Sequence, residues 1–476
     1  MSPANATSQT AESAPNTSPR NGARGSGRHS VPLPVPPLAK PAKPKRITTA
    51  ERTLESGLRV VVARRPSVPM VEVRLRVPFL SAKPHHLARS ALLSDTILTG
   101  TARYDRNSLA VALQELGGDL SVGLDADRLL LSASALSTKL PDLLRLFAEV
   151  LTSASYPKDE VGGERARLVE RITLARSQPG VIANEALGQR MAPGHPYGTS
   201  LPAIADVEAT TAGQLRSLHS DLIRPDGALL VIVGDVLPSR ALDSVERIFG
   251  EWSGTQAKRK VPALPELDLG PLLIVDRPGS VQTSLRFGGH SLTRDDERYP
   301  ALQLANLAFG GMFSSRWVEN IREDKGYTYS PRSSLDHSTL ASSFTASADV
   351  ATEVTAPAVV ETLYELGRIS SLPITQAELD LSRQYAIGTM ALSVSTQAGL
   401  ASTLSGLLGA GLDIEWLTRH RERLAAATIS QVADAAAEFL APRKLIGVAV
   451  GDAASIAGPL SAVIDVTVQD ADTSGG

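Results

Sequence analysis

The stretch TAGQLRSLHSDLIRPDGALLVIVGD at 211–235 decides the fold, because the chain contains it twice. TISQVADAAAEFLAPRKLIGVAVGD at 428–452 aligns with it without a gap. Thr211, Gln214, Pro225, Val231, Val233, Gly234 and Asp235 recur 217 positions later as Thr428, Gln431, Pro442, Val448, Val450, Gly451 and Asp452. Each copy predicts the same local structure. A threonine N-cap opens a helix, a proline closes it, and an apolar strand follows that ends at Gly-Asp. One short motif can recur by chance, but 25 ungapped positions with matched periodicity indicate an internal duplication.

The pattern extends to the start of each half. TLESGLRVVVARR reads as a hairpin, and in MVEVRLRVPF the residues Val71, Val73, Leu75 and Val77 alternate with Glu72, Arg74 and Arg76, a half-buried strand. The second half opens with PLLIVDRPGSVQTSLRFGG, two strands around a Pro-Gly turn. Helical patterns cover 138–154, 157–178, 352–368 and 374–397. Clustered strands with helices between them predict α+β: two homologous domains from an internal duplication, each a largely antiparallel sheet packed with helices. The predicted layout is a Pro/Ser-rich tail at 1–46, a domain at 47–250, a linker at 251–270, a second domain at 271–462 and a tail at 463–476. The first tail is too polar and proline-rich to bury a core and reads as disordered.

Composition sets further bounds. The 476 residues suffice for two domains, each able to bury its own core. A formal charge of −2 gives no electrostatic footprint for nucleic acid. No apolar run is long enough to span a membrane, and no signal-peptide core is present, so the expected location is cytoplasmic. With no cysteine, disulfides and thiolate metal sites are impossible.

Residue types alone yield no reaction. None of the eight histidines stands in HExxH or HxxEH spacing. His85 and His86 are adjacent, so on a helix their rings point about 100° apart; they read as a helix start after Pro84. His195, in APGHPYG, reads as part of a fixed turn. The polar pair Ser94-Asp95 interrupts the otherwise apolar ALLSDTILTG. It makes a poor nucleophile–acid pair, with no histidine near it in sequence.

Several motifs in order carry a family resemblance. They are Gly100-Thr101 with the helix before it, ELGGDL (115–120), PGHPYG (193–198), the two Gly-Asp strand ends, and GGMFSSRWVENIREDKGYTYS (310–330). Together, over about residues 50–455, they resemble the insulinase/pitrilysin-type peptidases, the inverted zincins that include the mitochondrial processing peptidase. The resemblance implies two similar α+β domains per chain, and two chains facing each other around a peptide chamber. Active members carry HxxEH upstream of the same Gly-Thr and a third zinc ligand, a Glu, on a later helix. Counting back from Gly100-Thr101, the ligand positions fall on Ala91 and Asp95 and the general base on Ser94. The distal Glu aligns with Arg171 when Glu164 and Pro179 serve as anchors. Alanine has no lone pair, serine cannot replace the basic Glu, and a permanently cationic arginine repels Zn²⁺. Asp95 and Arg171 are instead expected to fill the old metal position with an ion pair. No cofactor is expected on this chain; zinc is expected on a partner.

In the second half, Arg322 and Tyr329 match the Arg and Tyr that in this family hold substrate near zinc from the opposite domain. Gly310 and Gly311 join them as substrate-binding candidates through a close backbone approach. The resemblance therefore implies a non-catalytic subunit that binds peptide and pairs with an HxxEH-bearing chain, as a heterodimer, or self-associates. The alternatives are a structural or binding protein of the same fold, and a peptidase with an unrelated site.

Overall fold

The computed structural model describes residues 47–255 and 261–470. The 1–46 tail, five linker residues and the last six residues lie outside the described part. The first half contributes β1 (Thr48–Thr53), β2 (Arg59–Arg64), β3 (Met70–Pro78), β4 (Asp119–Leu124), β5 (Arg128–Leu136) and β6 (Leu229–Gly234). The second contributes β7 (Leu272–Asp276), β8 (Gln282–His290), β9 (Arg332–His337), β10 (Ser342–Ala351), β11 (Ile446–Gly451) and β12 (Val466–Asp470). The first sheet runs β1-β2-β6-β3-β5-β4 and the second β12-β7-β11-β8-β10-β9.

Five strands of each sheet therefore follow one order, and the fold is α+β with two mixed, largely antiparallel sheets. The sixth strand differs. β1 adds antiparallel to β2 from the start of the first half, whereas β12 adds parallel to β7 from the end of the second. This corrects the expected tail at 463–476: Val466–Asp470 is a sheet strand. β7 and β8 also flank β11 instead of pairing with each other. A Pro-Gly turn fixes a reversal but leaves open which strand enters between.

The duplicated stretch owes its repetition to contacts made twice. Thr211 and Gln214 form a capping box on helix Ala212–Leu222, and Thr428 and Gln431 form the same box on helix Ile429–Phe439. β6 and β11 are buried along their whole length. A Cβ on Gly234 would lie 2.4 Å from the Met70 carbonyl oxygen, and one on Gly451 would lie 2.6 Å from Thr283 Oγ1. Both glycines end their strands where a neighbouring strand leaves no room for a side chain.

Each half buries its own main core, but the outer face of each sheet is covered by a helix from the other half. Helix Gln397–Gly409, from the second half, packs Leu400, Leu404 and Leu408 on Val61, Ala63, Leu229, Val231 and Val233 of the first sheet. Helix Pro179–Met191, from the first half, packs Ala183 and Leu187 on Val275, Ile446, Val448 and Val450 of the second. Registers place Arg74 of β3 and Arg286 of β8 at equivalent positions, and each reaches the helix donated by the other half. Arg74 Nε donates to Ser402 Oγ at 3.3 Å, and Arg286 Nε to Asn184 Oδ1 at 2.8 Å. The face of β3 expected to meet solvent is thus covered: Arg76 is buried and donates to the Ser405 carbonyl at 2.6 Å.

The hairpin tips of the two sheets also meet. Buried Asp127, between β4 and β5, accepts from the Tyr197 hydroxyl and from the Thr339 N–H (2.7 Å), which lies between β9 and β10. The Leu340 N–H donates to Tyr197 Oη at 3.2 Å. The linker is docked as well, through Trp252 against Phe249 and through the Pro262 carbonyl against His195 Nε2 at 3.2 Å. His195 also accepts from the Tyr197 N–H, which accounts for it as part of a fixed turn. Among the described residues no helix is long and apolar enough to cross a membrane.

Candidate functional site

Helix His86–Thr96 buries Ala88, Leu92, Leu93 and Thr96 in the first core and turns Ala91, Ser94 and Asp95 toward a cleft of about 880 Å³. It starts where the sequence places it. His85 adopts a left-handed conformation (φ 58°) and pairs with Asp206 at 2.7 Å, while His86 Nε2 lies 2.6 Å from the Phe79 carbonyl. The two histidines thus make separate contacts. Ser94 Oγ donates to the Ala91 carbonyl at 2.8 Å, a local helix bond that engages its proton.

Arg171 comes from helix Lys158–Arg176, which packs on the same core through Val161, Leu168 and Ile172. Its Nη2 reaches Asp95 Oδ2 at 2.5 Å, so the ion pair is formed. Arg171 is 54% exposed and Asp95 26%. The alignment anchor Glu164 is itself structural: Arg106 and Arg167 hold its buried carboxylate, and the Arg167 bond pulls its pKa down. Burial pushes the Asp95 carboxyl above its ordinary range, while Arg171 pulls the other way through hydrogen bond and charge. The pair does not fully offset the desolvation of Asp95.

This donor set does not fit zinc. Ala91 supplies nothing, the Asp95 carboxylate is engaged, and Arg171 places a fixed cation against it. Because desolvation outweighs pairing, Asp95→Asn should melt within about 1 kcal/mol of the parent chain. Arg171→Ala should be the more harmful change, since it leaves a half-buried carboxylate alone. Thermal melts of both variants at neutral pH check this order.

Arg322 and Tyr329 stand elsewhere, and neither lines the Asp95 cleft. Their segment is anchored by buried Trp317, which stacks on Phe309 at 5.3 Å and donates to Thr362 Oγ1 at 3.0 Å. Arg316 fixes it to Glu378 (2.5 Å), and Thr328 Oγ1 donates to the Asp349 carbonyl at 2.7 Å. Beyond these anchors the Arg322 guanidinium lies between two rings, 4.6 Å from the Phe313 centroid and 4.9 Å from that of Tyr329. Arg322 Nε also reaches Glu323 at 3.1 Å. Tyr329 is 81% exposed and Phe313 61%. Phe313 was missed from the sequence, although it sits inside GGMFSSR; an exposed aromatic beside a candidate arginine is the signal.

The two glycines stand against the chain's own core. A Cβ on buried Gly310 would meet Trp317 at 2.8 Å and Ser333 at 2.9 Å, and one on Gly311 would meet Asn306 Nδ2 at 2.8 Å. Both glycines provide close approach to the chain's own core.

Comparison with known proteins follows this geometry. Residues 61–203 match the model of insulinase (peptidase family M16), and 209–385 match the peptidase M16 inactive domain. An uncharacterized zinc protease of Mycobacterium bovis is 25% identical over 83% of this chain and 93% of its own length. Uncharacterized zinc proteases of Streptomyces coelicolor and Mycobacterium leprae match at 24% and 26%, and the chain spans 63% and 65% of their lengths. The Bacillus subtilis protein named "Probable inactive metalloprotease YmfF" is 28% identical over 40% of this chain and 45% of its own. A peptidase M16 inactive domain from Pseudomonas fluorescens superposes with TM-score 0.78 at 23% identity, covering 85% of this chain and 98% of that one. A Helicobacter pylori protease gives 0.77 at 18% identity over 85% and 99%.

Proposed function

The chain belongs to the insulinase family of peptidases, M16, and on that premise we propose that it is a non-catalytic subunit. It pairs with an HxxEH-bearing relative, closes the other half of a peptide chamber, and presents Arg322 and Tyr329 to peptides cut at the partner's zinc. The observation that carries the reading is a division of fates. The metal position is filled by the Asp95–Arg171 ion pair, whereas the Arg322 stack stands open to solvent. An arginine edge can donate paired bonds to a peptide carbonyl, and a tyrosine hydroxyl can stabilise a developing oxyanion. Edge strand β4 borders the cleft through Val122–Leu124, and its free backbone edge suits an extended peptide.

Mixing tests it. Assayed on unstructured peptides, the chain alone should be inactive, and a catalytic relative from the same source should gain activity when it is added. Arg322→Ala should then lower kcat/KM by about 10- to 100-fold and Tyr329→Phe by about tenfold, with the complex intact by sizing. Peptide cleavage by the chain alone would refute the reading. A second reading, a binding protein of the same fold, draws on the guanidinium already being held by Phe313, Tyr329 and Glu323. In that case neither substitution would change the activity of the mixture.

A further inference from the structure

Two fixed stretches of backbone bring Phe313 and Arg322 together. Gly310 and Gly311 seat the first against Trp317 and Asn306. A turn follows in which the Ser315 N–H donates to the Met312 carbonyl at 3.3 Å. Met312 and Ser315 are buried, so of these four residues Phe313 and Ser314, at the tip, meet solvent. Arg322 rises from one turn of π-helix, Glu319–Asp324, next to fully buried Ile321. The Tyr327 N–H closes on the Ile321 carbonyl at 2.8 Å, and Asn320 Nδ2 donates to Glu361 and Glu365 at 2.9 and 3.0 Å. Neither stretch is held by the Phe313 ring, which takes no part in the buried core of the second half.

What that ring does is hold a cation. A free arginine side chain turns about several bonds, and ordering it at the moment of binding costs affinity. Here the guanidinium carbon stands over both Phe313 and Tyr329, and the side chain is only 28% exposed although the rings themselves are open. Ring faces attract the cation through their π-electrons and leave its N–H donors to other acceptors. Glu323 takes Nε, while the Nη groups have no hydrogen-bond or ion-pair partner among the described residues. The rings therefore restrain the fork, and its Nη donors stay available.

We propose that Phe313 is a positioning residue: its ring holds the Arg322 guanidinium in the orientation from which the Nη donors meet a peptide carbonyl. Phe313 itself does not touch the reacting atoms and acts only through Arg322. The inference rests on the subunit reading for what the fork binds, but the clip belongs to the chain alone and is tested there separately. Leucine at 313 keeps an apolar side chain and loses the π face, whereas tryptophan offers a stronger one. The two substitutions thus separate a ring that holds the cation from one that only fills space.

In the mixing assay Phe313→Leu should lower kcat/KM about fivefold, and Phe313→Trp should keep the parent value. In an Arg322→Ala background Phe313→Leu should change nothing further, whereas a ring that touched the peptide or merely supported the fold would still register. The chain alone gives the second readout. Phenylglyoxal, an arginine reagent, should modify Arg322 about fivefold faster in Phe313→Leu than in the parent, read by mass spectrometry, with exposed Arg240 as the unchanged reference. Phe313→Trp should label as slowly as the parent. Equal labelling of Arg322 in the parent and Phe313→Leu would overturn the proposal, and so would an equal loss of activity from Phe313→Leu with and without Arg322. An inert parent mixture would refute the subunit reading, and the labelling would then decide by itself whether Phe313 holds the arginine.

Discussion

Residues 47–250 expressed without the second half should fail to melt cooperatively. The outer face of their sheet is covered by a helix the fragment lacks: Gln397–Gly409, contributed from the other end of the chain. Its removal exposes Val61, Ala63, Leu229, Val231 and Val233, each at most 5% exposed in the whole chain. At about 1.5–3 kcal/mol for a fully buried aliphatic side chain, the loss is on the order of 10 kcal/mol, comparable to the net stability of a domain. The second half is equally bare without helix Pro179–Met191, whose loss uncovers Val275, Ile446, Val448 and Val450. Each fragment alone should therefore bind a hydrophobic dye and lack a sharp thermal transition, and co-expression should restore both properties to the folded pattern. Leu404→Asp in the intact chain asks the same question at one position, because Leu404 is fully buried in the exchanged interface. A soluble 47–250 fragment with a cooperative melt would show that the exchange is dispensable. The exchange matters for function because it makes the described residues from 47 to 470 a single compact unit.

What the sequence revealed and what it concealed follow from the range of the contacts. Capping boxes at Thr211 and Thr428 are closed within three residues, and strand ends at Gly234 and Gly451 are dictated by one neighbour, so both survive as readable pattern. Alternation in β3 was legible because burial on one face has period two. That its other face is covered too was not, since an apolar helix pattern says that a side is buried but not by whom. The same holds for the hairpin tips, where one turn aspartate, Asp127, takes its partners from residues 70 and 212 positions away. For the site, a family alignment located Ala91, Ser94, Asp95 and Arg171 on facing helices, and charge complementarity foretold that Asp95 and Arg171 would meet. At Gly310 and Gly311 close approach was legible, but the neighbours approached, Trp317, Ser333 and Asn306, are set by the fold. The alternation of Arg332, Ser334 and Asp336 and of Ser343, Thr345 and Ser347 stands in the sequence, yet which of them face each other depends on the register between strands.

Acid should destabilise the chain well before its carboxylates are protonated. Two histidines lie in one aromatic cluster of the second half. His420 stacks on Trp416 (4.2 Å) and Tyr299 (5.3 Å) with Nε2 2.7 Å from Gln303 Oε1, while His337 contacts Ser342 Oγ (2.7 Å) and Tyr299 Oη (3.1 Å). Burial pushes both down to about 4, assisted by Arg294 near each and by Arg423 near His420. In the first half, burial likewise lowers His219, whose ring meets the Tyr156 hydroxyl and the Leu151 carbonyl. A histidine depressed in the folded state takes up its proton first in the unfolded chain, at about 6.5. The stability it contributes is complete above that value and is lost as pH falls from 6.5 to about 4. For His337 and His420 the loss is at most about 3 kcal/mol each, enough to consume much of a marginal stability. The melting temperature should therefore drop steadily across this window. His420→Phe keeps a ring in the stack and removes one titration, so its curve should start lower at pH 7 and fall less steeply. A parent curve that is flat from pH 7 to 4.5 would contradict the mechanism, as would an unchanged slope in the variant. Since the cluster holds the β9–β10 hairpin, which carries the Thr339 contact to Asp127, mixing assays should lose amplitude in parallel with that curve below pH 6.5.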